Sequence, residues 1–180
     1  MSESKDSEKK IKNQLEVLKR IDTYIGTTNT KCTIIMSYCA AATAFIFTLI
    51  AKLDPAHASI QLLVAIGICS TFALGLALYC MVQAALTIFP ITFSKPGAQN
   101  ASSLVFFGDI ASCSDGNAYS NKINEISEQN FLEDLNGQVY TLASIAKQKF
   151  DRIKVATVVL MLHFVCMAGF LMLAVSYFLL

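Results

Sequence analysis

Two short polar segments hold the side chains best suited to chemistry in an otherwise apolar chain. The first, RIDTYIGTTNTK at residues 20–31, sets Thr27, Thr28, Asn29, Thr30 and Lys31 just before a long apolar run. Hydroxyls, a carboxamide and a cation together suit a small polar ligand. The second, FFGDI at residues 106–110, joins two aromatic rings to a glycine and a carboxylate. Phe106 and Phe107 offer stacking faces for a base, and Gly108 permits close backbone approach. Asp109 can accept from an amino group or a sugar hydroxyl. The plainer reading of the first segment is solvation at a membrane interface.

Catalytic signatures are missing. The sequence contains no GxxxxGK[ST], GxGxxG, HExxH or GxSxG pattern. Its six cysteines form no CxxC pair and no Cys/His cluster with zinc spacing. Of its two histidines, His57 is expected at the solvent beside Pro55. His163 lies in an apolar run and is expected to pack, neutral, between helices. We therefore expect no enzyme, no metal and no cofactor.

The elements that must position the polar segments are membrane helices. The chain is 54% hydrophobic and only 15% charged, against about 45–50% and about 25% in ordinary soluble domains. Its mean hydropathy is +0.53. Spanning a bilayer core takes roughly 20 apolar residues. Residues 33–51, 59–89 and 155–180 meet that length. The fold class expected is an all-α membrane protein with three transmembrane helices, the first and third extended into a cytoplasmic helical bundle. The parts are an N-terminal amphipathic helix (1–32), helix 1 (33–51), an external link (52–58), helix 2 (59–89), a cytoplasmic loop (90–120), a cytoplasmic helix (121–154) and helix 3 (155–180). The second span is longer than a bilayer needs, so it must tilt or project, and Pro90 is expected to end it.

Charge sets the orientation. Residues 1–31 carry seven Lys or Arg, residues 52–58 one, and residues 90–154 six. The positive-inside rule then places the N-terminus and large loop in the cytoplasm and the C-terminus outside. With no basic excess, at a net charge of +1, DNA and RNA are not expected partners. Ile11, Leu15, Leu18 and Ile25 suggest an apolar stripe, with Glu16 and Arg20 as an i,i+4 pair. Leu132, Leu135, Val139, Leu142, Ala146 and Lys149 repeat at 3-4-3-4-3, a heptad-type seam. That helix is expected to begin near Asn121. The LVFF knot at residues 104–107 is expected to fold onto a core, and residues 112–119 to form a flexible turn. Gly67, Thr71 and Gly75, with Ala40, Ala41 and Ala44, suit close packing among the three spans, or between subunits. Lys147, Lys149, Arg152 and Lys154 suit anionic headgroups, with one or two of them facing a phosphate as the sharper reading.

Three segments resemble the transmembrane effectors of the bacterial Pycsar antiphage systems. They are RIDTYIGTTNTK, LVFFGDIAS at residues 104–112, and DLNGQVYTLASIAKQKFDRIKVA at residues 134–156. The resemblance runs from about Leu15 to the third span. It implies an inner-membrane effector whose cytoplasmic part senses a cyclic pyrimidine nucleotide, cCMP or cUMP. The effector then impairs the membrane, which leads to abortive infection. It also implies ligand contacts at Asn29, Lys31, Phe106, Phe107, Gly108, Asp109, Gln138, Lys147 and Lys149. Asn29 stands where the family commonly carries an acidic residue. A homo-oligomer acting on the lipid bilayer is expected. The competing reading is a membrane scaffold whose cytoplasmic bundle docks a protein partner. A small channel or transporter fits less well, because the spans lack buried charges and broken helices.

Overall fold

The computed structural model describes residues 2–89 and 103–179, with side chains from Asp6 onward and that of His57 left out. Pro90 and the segment after it, and the exposure expected of the His57 ring, lie outside the described part. The elements are α1 (Ser2–Ile50), a 3-10 turn (Pro55–His57), α2 (Ile60–Ile88), α3 (Phe107–Ala111), α4 (Gly116–Glu125) and α5 (Glu128–Leu179). Among the described residues there is no strand. Helices α1, α2 and α5 are each long and apolar enough to cross a membrane. At 1.5 Å per residue, the 29 residues of α2 extend about 44 Å, well beyond a hydrocarbon core of about 30 Å.

The described residues fall into two compact units. One draws on Met1–Thr27 and Pro90–Gln148, the other on Thr28–Phe89 and Lys149–Leu180. We call them the polar unit and the spanning unit.

The spanning unit is built on heptad spacing. On α1 the buried positions are Thr28, Cys32, Ile35, Cys39, Ala42 and Ile46, each three or four residues apart. On α2 they are Ile66, Ser70, Ala73, Ala77, Cys80, Ala84 and Thr87, and on α5 they include Lys149, Ala156, His163, Phe170, Ala174 and Tyr177. Such spacing keeps one narrow seam facing its partners along the whole helix. Lipid is as apolar as leucine, so close packing rather than hydrophobic exclusion must hold these helices together. Small side chains at the α2 seam permit it. Gly67, Thr71 and Gly75 do not take part: they face outward, and a Cβ added at Gly67 or Gly75 would meet nothing within 4 Å. Ala40, Ala41 and Ala44 also face outward. Close packing among the spans therefore runs through Ser70, Ala73, Ala77 and Ala84 instead. All six cysteines are free thiols, and Cys32, Cys39 and Cys80 fill seam positions as small hydrophobes. His163 is wholly buried, and its Nδ1 lies 3.0 Å from the Ala73 carbonyl. A carbonyl only accepts, so Nδ1 carries the proton.

The polar unit keeps the same phase with different residues. Ser7, Ile11, Gln14, Leu18, Ile21 and Ile25 are the partly buried positions of α1 there, again three or four apart. Leu15 is 45% exposed. The stripe passes through Gln14 and Ile21, because the seam spacing continues unbroken from the span. On α5 the seam at Leu132, Leu135, Val139, Leu142 and Ala146 is buried or partly buried as the spacing implies. The ion pair among the described residues is Asp6–Lys10 at 2.6 Å, not Glu16–Arg20. Lys10 holds the Asp6 carboxyl below its usual value.

Residues 112–125 differ from expectation. Asp115 caps α4, its Oδ1 accepting from Ala118 N at 2.7 Å, so residues 116–119 are the first turn of a helix. The helix expected from Asn121 is interrupted. Ile126 is extended, with φ −74° and ψ 138°. Ser127 Oγ then accepts from Asn130 N at 3.2 Å and starts α5.

The link between α1 and α2 is tied to the far end of α5. Tyr177 Oη accepts from Asp54 N at 2.7 Å and donates to Asp54 O at 3.1 Å. Tyr177→Phe removes both bonds and should destabilise the fold by about 1–2 kcal/mol. A lower thermal midpoint in detergent, with faster amide exchange in residues 52–58, is the expected result.

Candidate functional site

In the polar unit, Ser103 organises the segment that carries the aromatic pair. Its Oγ accepts from Val105 N at 3.1 Å and Phe106 N at 3.0 Å. Its own N–H donates to Asp109 Oδ2 at 2.9 Å. Leu104 is buried, and its two backbone groups stitch the segment to the helices. Leu104 N donates to Asp134 Oδ2 on α5 at 2.7 Å, and Leu104 O accepts from Tyr119 Oη on α4 at 3.0 Å. The LVFF knot is thus fixed by hydrogen bonds as well as by burial.

This arrangement revises two roles. Gly108 leaves room for a neighbouring ring, since a Cβ there would come 2.6 Å from Phe106 Cε1. Asp109 closes a turn through Oδ2, and Oδ1 makes no hydrogen bond to the described residues. Phe106 and Phe107 are tilted at 53° with centroids 4.8 Å apart, and Phe107 is 67% exposed. Gln138 is four residues from Asp134 on α5, hence on the same face and one turn from the stitch. Lys147 is nine residues further, two and a half turns on and on the opposite face. Phe107, Asp109 and Gln138 belong to one neighbourhood by this argument, and Lys147 does not join them.

Three threonines at the entrance, Thr23 and Thr27 of the polar unit and Thr33 of the spanning unit, are ordinary helix residues. Thr23, Thr27 and Thr33 hydroxyls donate to the carbonyls four residues back, at 2.9, 2.9 and 3.1 Å. Asn29 and Lys149 meet each other: Lys149 Nζ donates to Asn29 Oδ1 at 3.0 Å and also to the Thr87 carbonyl. Arg152 Nη1 donates to Leu86 O at 2.7 Å. The last carbonyls of a helix lack partners within it. At the end of α2, Phe89 N caps Ala85 O, and the two cations of α5 satisfy the next two carbonyls. Positive charge there also opposes the negative end of the helix dipole. One of the five N–H donors of Arg152 is thus engaged with α2.

Lys149 is only 5% exposed. A buried ammonium is costly unless hydrogen-bonded, and two acceptors serve it. Burial pushes its pKa below the usual lysine value, with Cys32 opposing and Arg152 adding to the shift. Lys31 lies on another face of the unit, in a groove with Thr28, Phe150 and Lys154.

Sequence reading missed Asp134, Tyr119 and Thr87. Asp134 had a weak signal, a carboxylate beside a heptad seam. The other two act through pairings distant in sequence and left none.

Lys149→Met leaves Asn29 Oδ1 and Thr87 O without their donor. It should cost about 2–6 kcal/mol, at about 1–3 for each orphaned acceptor. With its pKa depressed by folding, Lys149 binds more protons in the unfolded chain. Its contribution to stability therefore rises as pH climbs towards the ordinary lysine range. Thermal midpoints of wild type and Lys149→Met in detergent should separate further as pH rises from neutral.

Comparison with known proteins agrees with this helical architecture. The family model described as the Pycsar effector protein domain matches residues 13–178. Among curated proteins, the Pycsar effector protein EcPycTM of Escherichia coli is 29% identical over 150 residues, 82% of this chain and 81% of its own. No solved structure matches. A match over nearly the whole chain, including all three spans and both polar segments, establishes that this protein belongs to the Pycsar effector family.

Proposed function

We propose that this protein is an antiphage membrane effector that senses a cyclic pyrimidine nucleotide, cCMP or cUMP, on the cytoplasmic side of the inner membrane. Binding then impairs the membrane and aborts infection. The observation that carries the reading is the family match over residues 13–178. The N-terminus and large loop face the cytoplasm, where the positive charge is concentrated, and the C-terminus lies outside.

The chemistry supports this ligand class. Phe107 has an exposed ring for stacking, Asp109 Oδ1 is open for a donor on the base or ribose, and Gln138 reads a pyrimidine edge. Phe106 and Gly108 hold the turn. A cyclic mononucleotide carries one phosphodiester charge, so one or two cations suffice; the family resemblance offers Lys31 and Lys147, both exposed, with Lys147 on the face of α5 opposite Gln138.

Asn29 and Lys149 give the signal a route into the membrane. Lys149 holds the end of α2. A phosphate oxygen that draws Lys149 or its Asn29 partner away leaves the Thr87 carbonyl uncapped and loosens that end. A ligand shifts such an equilibrium only by its differential affinity for the two states, and this exchange of acceptors supplies one.

The outward faces of Gly67, Thr71 and Gly75, and of Ala40, Ala41 and Ala44, suit close helix contact between copies. A homo-oligomer fits the reading, and a scaffold for a protein partner remains the competing one. Purified protein should bind cCMP or cUMP more tightly than cAMP. Asp109→Ala and Lys31→Ala should each abolish ligand-triggered liposome leakage while membrane insertion persists. No binding at millimolar nucleotide favours the scaffold, and undiminished leakage in both variants overturns the site.

A further inference from the structure

A groove of about 440 Å³ runs between α1 and α5 on the outside of the spanning unit. Thr28 and Lys31 of α1 form one wall, and Phe150, Asp151, Ile153, Lys154, Thr157 and Val158 of α5 form the other. Five of the six α5 residues fall at i, i+3, i+4, i+7 and i+8, a single helix face, and Asp151 flanks it. The volume lies within the range of roughly 300–1,000 Å³ typical of small-ligand sites.

The lining is ordered along the direction of entry into the bilayer. Both α1 and α5 run from the polar side into their spans. Thr28, Phe150 and Asp151 therefore come first, Lys31 and Lys154 next, and Thr157 and Val158 last. Asp151 and Lys154 are about 4.5 Å apart along the axis, and Lys154 and Val158 about 6 Å. A hydroxyl acceptor, a pair of cations and an apolar end, in that order, match a glycerol headgroup, its phosphodiester and the start of its acyl chains. The net lining charge is +1, two lysines against one aspartate, which balances one phosphodiester. Among the described residues neither Lys31 nor Lys154 forms an ion pair, so both ammonium groups are available.

We propose that this groove binds an anionic phospholipid of the phosphatidylglycerol type. The phosphodiester lies between Lys31 and Lys154, the headgroup hydroxyls face Asp151, and an acyl chain lies along Thr157 and Val158. The lipid thereby bridges α1 and α5 where both enter the membrane. A cyclic nucleotide shares the phosphodiester chemistry, and Lys31 belongs to the ligand set proposed above. It lacks an acyl chain to use the apolar end of the groove. The inference rests on the spans lying in a bilayer and gives Lys31 to the lipid, so it competes with the nucleotide reading for that one residue.

Native mass spectrometry of the full chain from nanodiscs of equal phosphatidylglycerol and phosphatidylcholine tests it. Wild type should retain phosphatidylglycerol preferentially, and the double variant Lys31→Gln/Lys154→Gln should retain about tenfold less. Thr157→Trp fills the groove without touching either charge and should lose the lipid as well. It serves alone if the double variant fails to fold. Millimolar cCMP or cUMP should leave the bound lipid in place. Undiminished lipid retention in a folded variant overturns the proposal. Displacement by nucleotide also overturns it and assigns the groove to the nucleotide.

Discussion

The spanning unit depends on one buried cation. Lys149 occupies a heptad position in the seam of α5, where a hydrophobe would ordinarily stand. It brings a charge into the protein with no carboxylate paired to it among the described residues. The charge is tolerated because its donors meet Asn29 Oδ1 and the Thr87 carbonyl. That carbonyl is itself orphaned at the end of α2. Two unsatisfied groups, a buried ammonium and an uncapped helix end, cancel each other's cost. Arg152 does the same for Leu86. With Tyr177 holding the Asp54 link, side chains of α5 secure both ends of α2.

The seams give this arrangement its reach. α1 keeps one 3-4 spacing from Ile11 to Ile46, and α5 keeps one from Leu132 to Tyr177. On α1 the seam gains Cys, Ala and Thr among its isoleucines, and on α5 it passes from mostly Leu to Ala and aromatic residues, but the phase does not change. Lys149 stands near this transition, at the boundary of the two units.

Much of this architecture was legible in the sequence. Apolar run length gave three spans, with α2 bounded to within a residue or so at each end. The Leu132–Lys149 repeat gave the α5 seam. Leu15 misled, because hydrophobicity was matched residue by residue without the constraint of one phase along the helix. The α4 start at Asp115 was overlooked because a Ser- and Gly-rich stretch looked like loop, although Asp before Gly-Asn-Ala is a cap signal. Small residues alone do not say whether they pack among the spans or between subunits, and Gly67, Thr71 and Gly75 face outward. For the site, the residue types were legible but not their partners. Neither Asp134 under Leu104 nor Thr87 under Lys149 follows from spacing, since each pairing joins distant parts of the chain. Gly108 looked like a ligand approach and proved to accommodate Phe106.

Lys149 holds the end of α2, and the proposal that follows from it is that the cyclic nucleotide loosens that end. Hydrogen–deuterium exchange of the last turn of α2, residues 85–89, tests this most directly. The account predicts faster exchange there in Lys149→Met, and likewise in wild type when cCMP or cUMP is added. Residues 70–77 in the middle of α2 should remain unchanged. Equal protection of residues 85–89 in wild type, variant and ligand-treated protein would contradict it.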